Sequence, residues 1–376
     1  MRTVFNSEHE IFRDQVRRFV AEKIIPFHAA WEDAGVVPRA LWREAGAMGL
    51  LCCNIPEEYG GGGGDFGHSA VVIEELSRAL ASGVGFSLHS DIVAPYILRY
   101  GSEEQKQSWL PRMGRGELIG AIAMTEPGTG SDLKAVRMSA KRDGDDYILN
   151  GQKTFITNGR NAGLVIVVAK TDPSAGRKGI SLFLVEEGTR GFSKGRAIEK
   201  IGQHAQDTAE LFFEDVRIPA EQLLGEENQG FGYLVHELAQ ERLIIALRCA
   251  TTMETQLQAA IDYTRERKAF GQAVFDFQNT RFKLAEVKAQ AVQYRVFTDH
   301  CLALHLKREL TPDMAAMAKL LGSETQSKVL DELLQLHGGY GYTREYGIGR
   351  AWADARVMRI YGGSSEIMKE IIARIL

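Results

Sequence analysis

Several stretches of this sequence carry residues whose types and spacing could do chemistry. Thr125-Glu126-Pro127-Gly128-Thr129-Gly130-Ser131-Asp132 follows the apolar run Ala121 to Met124. Its glycines allow close backbone approach, and its N–H groups and hydroxyls could grip an anion or a polar ring. A tight structural turn would explain the loop equally well. Its spacing is not G-x-x-x-x-G-K-[ST], which excludes a P-loop. Phe155-Ile156-Thr157-Asn158-Gly159 ends a predicted strand. An aromatic and a hydroxyl there could pack on and hydrogen-bond a planar ring; the competing explanation is a core Phe before an Asn-Gly turn. Arg265 to Gly271 could pair with a diphosphate, because Arg favours bidentate phosphate contacts. It could also be a solvated helix end whose basic residues suit the macrodipole.

Further along, Leu336-His337-Gly338-Gly339-Tyr340-Gly341-Tyr342 packs more glycine into one corner than a helix stop requires. In Arg359 to Ile367, Ser364 can cap a final helix and Glu366 lies in its first turn. Capping does not explain Gly362-Gly363. Glu241-Arg242 lies inside the apolar stretch Leu238 to Ala246. A carboxylate there is either paired or functional. Arg242 points about 100° away on a helix and is not an automatic partner.

These residues need elements to hold them. Residues 7–34 read as a helix with Ser7 and Glu10 as a capping box. Pro38 starts a short helix through Met48, and the run Gly60 to Gly64 is a loop. Helices follow at about 67–82, 88–100 and 103–114. Residues 119–225 alternate instead. Val136–Ala140, Tyr147–Leu149, Lys153–Thr157, Leu164–Ala169, Ile180–Val185 and Glu210–Phe213 read as strands, with Asp143-Gly144 and Asn150-Gly151 as hairpin turns. Strands without helices between them indicate an antiparallel sheet or small barrel, not a Rossmann unit. Long helices return at 228–267, 278–309 and 312–337. Thr311-Pro312 starts the last of these and Gly338-Gly339 stops it.

Composition bounds the rest. The chain has 376 residues, 44% of them hydrophobic, which excludes global disorder. Lys+Arg 45 against Asp+Glu 49 gives −4, which argues against nucleic acid as the main partner. Cys52, Cys53, Cys249 and Cys301 form no C-x-x-C pair and read as reduced thiols. The histidines form no H-E-x-x-H or tight His/Cys cluster, so no metal site is expected. The first residues lack an apolar signal core, and no run of 18 apolar residues exists, so an integral membrane protein is not expected. Glycine is in excess, at 39 residues.

Taken together and in this order, the stretches closely resemble the acyl-CoA dehydrogenase family of flavoproteins, from Ser7 to Ala373. The likeness is to the long-chain branch, through Ala205-Gln206-Asp207-Thr208-Ala209-Glu210-Leu211-Phe212-Phe213-Glu214-Asp215 and Ile360 to Glu370. The resemblance implies a mainly α fold with a central β domain. An N-terminal helical domain would span 1–118, a β-barrel-like middle domain 119–227 and a C-terminal four-helix bundle 228–376.

FAD would lie between the β domain and the C-terminal helices. Ile122, Met124, Thr125, Gly130 and Ser131 would hold the flavin, with Ser131 also touching acyl-CoA. Phe155 would pack on the isoalloxazine where many relatives carry Trp, beside Ile156. Thr157 would bond near N5. Arg267, Gln278, Gln335, Gly338 and Gly339 would reach the FAD of a neighbouring subunit in a homotetramer. Phe270, Ser364 and Glu366 would complete the cofactor site. Arg242, Gly362 and Gly363 would contact substrate, and Arg177 and Lys178 are candidates for CoA phosphate contacts.

The resemblance also locates the base. Most relatives carry Glu directly after the Tyr of the near-terminal turn. Here that position is Gly362, which has no side chain to take a proton. The long-chain and isovaleryl branches instead use the Glu of a helical Glu-Arg-Leu segment, which is Glu241 here. Glu241 would remove the α-proton of an acyl-CoA while hydride leaves Cβ for flavin N5, giving trans-2-enoyl-CoA. The amide at Gly362 would help stabilise the thioester oxygen. Medium- to long-chain substrates are expected, branched ones included, although Ala239 replaces a Pro common in that branch. An electron-transferring flavoprotein would take the electrons, in bacterial cytoplasm or, for a processed form, the mitochondrial matrix. An acyl-CoA oxidase using oxygen and a non-catalytic scaffold are the competing readings.

Overall fold

The computed structural model describes residues 2–376 and begins with helices cut to length by their caps. α1 (Ser7–Phe19) starts at the expected residue, but its cap lies one residue earlier than the sequence suggests. The capping box is Asn6 with His9, not Ser7 with Glu10. The expected helix over 7–34 is also broken. A π-turn (Val20–Ile24) leads to Pro26, and α2 (His28–Ala34) follows. Proline lacks the N–H and crowds the carbonyl four residues back, and the helix breaks there. α3 (Arg39–Ala47), α4 (Phe66–Arg78), α5 (Phe86–Leu88), α6 (Ala94–Tyr100) and α7 (Glu103–Gly114) complete this helical part. α5 and α6 are joined by a second π-turn, His89–Val93. The α1 and α4 starts face each other. His9 Nε2 lies 2.8 Å and His68 Nδ1 3.3 Å from Asp65 Oδ1, so two histidines and an aspartate from distant positions do cluster.

The central sheet holds β1 (Gly120–Ala123), β2 (Ser139–Asp143), β3 (Asp146–Thr157), β4 (Leu164–Lys170), β5 (Ile180–Glu186), β6 (Phe192–Ala197), β7 (Thr208–Pro219) and β8 (Leu223–Leu224). Their order is β6-β7-β3-β2-β4-β5-β8, with β1 parallel to β4. Asp143-Gly144 does turn the β2–β3 hairpin. Asn150-Gly151 does not turn the chain. It lies inside β3 as a bulge opposite β7, where the pairing slips between Leu149 and Gly151. β7 is long enough to pair with both halves, so the strand continues through the glycine. β6 went unpredicted because its Ser-Lys-Gly-Arg core has no apolar alternation, as suits an edge strand. β4 and β5 are buried on both faces, which explains their unbroken apolar runs.

The rest is helical apart from a short hairpin, β9 (Lys268–Ala269) and β10 (Gln272–Ala273). α8 (Gly230–Glu266), α9 (Gln278–Leu306) and α10 (Pro312–His337) are long; α11 (Gly347–Ala355) and α12 (Ser365–Ala373) are short. One apolar cluster joins α8, α9 and α10 to Phe66, Ala70 and Ile73 of α4. A second runs from the sheet to Tyr96 and Ile97 of α6 and to Leu110 of α7. Each fully buried Leu, Ile or Val in these clusters contributes about 1.5–3 kcal/mol. The segment Phe86–Tyr100 is therefore wedged between sheet and bundle. Among the described residues, no helix is long and apolar enough to cross a membrane.

Candidate active site

Glu241 lies in α8 with its side chain buried. Tyr96 of α6 donates its hydroxyl to Glu241 Oε1 at 3.3 Å. Burial, then the nearby Glu237 carboxylate, push the Glu241 carboxyl up to about 7, against smaller opposing effects of Tyr96 and Arg242. Such a group is ionised part of the time at neutral pH and binds a proton well when it does so. Arg242 is 4% exposed, and its Nε has no hydrogen-bond partner among the described residues. A buried guanidinium with an orphan donor calls for an acceptor from outside the chain.

The near-terminal turn lies across the same face of α8. Gly362 has φ +62°, and a Cβ built there would stand 2.5 Å from Ile245 Cδ1, one turn beyond Glu241. The turn is held by Lys319 of α10, a fully buried lysine whose Nζ donates to the Gly363 carbonyl at 2.6 Å. Burial lowers Lys319 to about 8. Ser364 caps α12 by accepting the Ile367 N–H, and Glu366 sits exposed in its first turn.

On the sheet side, β1 leads through Met124 to the Thr125–Asp132 loop. Ile122 is buried and Met124 half-buried, while Gly130 and Ser131 are exposed. Added Cβ atoms at Gly128 and Gly130 would meet nothing within 4 Å. The loop is anchored by a buried pair that sequence reading missed. Lys153 Nζ, at 0% exposure, donates to Glu126 Oε1 at 2.9 Å and to the Met124 carbonyl at 3.1 Å. The Glu126 carboxylate also accepts the Arg137 and Met138 N–H groups. Thr125 donates its hydroxyl to the Thr154 carbonyl and accepts the Thr154 N–H at 3.0 Å on its own carbonyl.

Phe155 is 65% exposed at φ +58°. A large aromatic held outward in the left-handed region costs about 1–3 kcal/mol, which points to a role for the ring. Ile156 beside it is buried and Thr157 half-buried. Asn158 fastens this strand end by donating to the Gly85 and Gly120 carbonyls at 3.3 and 3.2 Å. No hydrogen bond or ion pair among the described residues links Glu241 to Phe155. The wedge segment braces both instead. Val93 presses on Gly120 of β1, while Gln240, next to the base, donates to the Asp91 carbonyl at 2.6 Å.

Arg267, Gln335, Gly338 and Gly339 converge elsewhere, on an open pocket of about 450 Å³ shared with Tyr263 and Tyr340. The Arg267 guanidinium stands 5.7 Å from the Tyr340 ring centroid. Gln278, the first residue of α9, and Phe270, 97% exposed, lie outside this pocket. Arg177 lies over the Phe231 ring at the start of α8, 5.9 Å from its centroid.

Family comparisons agree with this architecture. The acyl-CoA dehydrogenase N-terminal, middle and C-terminal domain families match residues 6–117, 121–216 and 228–376. The mitochondrial long-chain specific acyl-CoA dehydrogenase of Sus scrofa is 56% identical over 376 residues, covering 100% of this chain and 87% of the relative. The crystal structure of an acyl-CoA dehydrogenase from Geobacillus kaustophilus superposes with a TM-score of 0.98 at 47% identity, covering 100% and 99% of the two chains. A glutaryl-CoA dehydrogenase from Mycobacterium smegmatis, solved in complex with FADH2, gives 0.91 at 30% identity over 99% and 95%. The chain belongs to the acyl-CoA dehydrogenase family, and it is a flavoprotein oxidoreductase of that class.

Proposed function

We propose that the chain oxidises medium- to long-chain acyl-CoA thioesters, branched ones included, to trans-2-enoyl-CoA, with Glu241 as the α-proton base. The observation carrying this reading is the pairing of a buried, high-affinity carboxylate with the turn at Gly362, which has no side chain to offer. Glu241 takes the proton from Cα. Arg242, buried with an unpartnered donor, orients the acyl-CoA. The Gly362 amide supports the thioester oxygen as it gains charge, a role that needs no side chain. FAD supplies the acceptor for the hydride leaving Cβ.

The residues suit that cofactor. Phe155 presents an exposed ring, Thr157 a hydroxyl, and Gly128 and Gly130 an open backbone. Ile122, Met124, Thr125, Ser131 and Ile156 flank them, and Ser364 and Glu366 close the turn. Arg267, Gln335, Gly338 and Gly339, with Phe270 and Gln278 nearby, suit a neighbouring subunit's FAD in a homotetramer. The exposed Phe282, Val292, Val296 and Leu321 of α9 and α10 support such an assembly. We divide the chain at 1–118, 119–227 and 228–376. An electron-transferring flavoprotein is the proposed acceptor.

The test is a chain-length series of straight and branched acyl-CoAs with an artificial electron acceptor. Activity should peak among medium to long chains. A preference for four-carbon substrates would overturn the substrate reading. Rapid reoxidation of the reduced enzyme by air would instead identify an oxidase.

A further inference from the structure

α6 and α8 meet in two rungs beside the base. Tyr96 and Tyr100 stand one turn apart on α6, and Glu241 and Glu237 one turn apart on α8. Tyr96 bonds Glu241 Oε1 at 3.3 Å, and Tyr100 donates to Glu237 Oε1 at 2.8 Å. Glu237 is buried and is locked by Arg99, whose Nη1 donates to the same oxygen at 2.6 Å. His236 Nδ1 approaches that oxygen to 3.1 Å from the solvent side. Tyr100 also stacks on Tyr233 of α8, with ring centroids 4.0 Å apart. The other charged or titratable groups around the base are Arg242 on its own helix and, past Arg242, Lys319 of α10. To these add the buried Asp91 of the wedge segment, whose carbonyl accepts from Gln240, and His305 of α9, which burial keeps neutral 3.0 Å from Gln240 Oε1.

Two features of this ladder exceed what packing needs. Carboxylates one turn apart on a helix repel, and burying both adds a desolvation cost. Tyr96, at 0% exposure, gives its hydroxyl to one oxygen of the base only. Glu241 Oε2 accepts no hydrogen bond among the described residues.

We propose that Tyr96 and Glu237 are positioning residues for the base: Tyr96 pins Oε1 so that Oε2 faces the substrate α-carbon, and the locked Glu237 anion sets how tightly Glu241 holds a proton. The two act in opposite directions. A hydroxyl donated to the carboxylate favours its charged form, whereas a neighbouring anion disfavours it. Their balance keeps the base strong yet ionisable near neutral pH. This inference rests on Glu241 being the base.

The test compares Tyr96→Phe, Glu237→Gln and Arg99→Met holoenzymes by the pH dependence of kcat/KM with a long-chain acyl-CoA. The parent should show an acid limb near 7. Tyr96→Phe should move it up by about one unit and lower the plateau kcat about tenfold. Glu237→Gln should move it down by about one unit. Arg99 has a partly exposed side chain, so its removal is the variant safest for folding. Arg99→Met should move the limb up, because the Glu237 charge is then less neutralised. FAD content and KM should stay within about twofold in all three. A 3-thia-acyl-CoA can lose its α-proton but has no Cβ hydrogen to give. The pH midpoint of its long-wavelength band should shift in the same directions. Limbs and midpoints that stay with the parent in all three variants would overturn the proposal. Full activity in Glu241→Gln would overturn the base assignment itself. An inactive Glu241→Gln with unmoved limbs elsewhere would overturn the positioning role alone.

Discussion

Replacing Glu241 by Gln removes a carboxylate that burial disfavours, so the variant should be more stable than the parent above neutral pH. In the unfolded chain this group ionises near 4.5, and in the folded protein burial raises it to about 7. Between those values the folded state keeps a proton that the unfolded state has lost. Parent stability therefore falls as pH rises through this window and levels off above it. The full fall is roughly 3 kcal/mol. Arg242 loses its anionic neighbour in the variant, which offsets part of the gain. A net advantage of about 1–2 kcal/mol at pH 8, shrinking as pH falls towards 5, is expected. Thermal unfolding of both holoenzymes from pH 5.5 to 8, with FAD in fixed excess, reads this directly. Parallel stability curves would refute the reasoning, because they would mean that Glu241 titrates alike in folded and unfolded chains.

Moving the base to the near-terminal turn should work poorly here. Gly362→Glu in a Glu241→Gly background places Cβ 2.5 Å from Ile245 Cδ1 at φ +62°, a conformation costing about 1–2 kcal/mol for non-glycine residues. Ile245 Cδ1 is the free end of a side chain and can swing aside, so substrate-driven flavin bleaching should return only weakly and strengthen with Ile245→Ala; bleaching at the parent rate without that change would contradict the geometry. Glu126→Gln should leave buried Lys153 without a counter-charge and take an acceptor from the Arg137 or Met138 N–H, cost about 3–5 kcal/mol and release FAD on gel filtration, while Glu126→Gln with Lys153→Met should recover part of the stability. Phe155→Ala should keep the thermal midpoint of the FAD-free protein but weaken FAD binding about tenfold, as measured by flavin fluorescence titration.

Much of this was legible in the sequence because it was written in local patterns. α7, α10 and the Asp143-Gly144 hairpin follow from caps, periodicity and turn residues, and the Ser364 cap lies where its sequence places it. The helix break at Pro26 had a local signal that apolar periodicity on both sides outweighed. The Asn150 bulge had none, since only the length of β7 decides that the strand continues. The same divide runs through the site. Glu241 stands out as a charge in an apolar stretch, and Lys319 carries the same signal within Ala315 to Leu321. Tyr96 looks like any core aromatic, because its partner lies 145 residues away. Lys153 and Glu126 meet across 27 residues, and nothing in either neighbourhood announces the pair. The His9–Asp65–His68 cluster is likewise a product of two helix starts brought face to face.

The most direct measurement is anaerobic mixing of FAD-loaded Glu241→Gln with a long-chain acyl-CoA, followed at the flavin absorbance. The parent should bleach within the mixing experiment. The variant should retain its FAD and bind substrate, yet lose bleaching by at least about a thousandfold, as expected when a general base is removed. Bleaching of the variant at near the parent rate would contradict the assignment of Glu241 as the base.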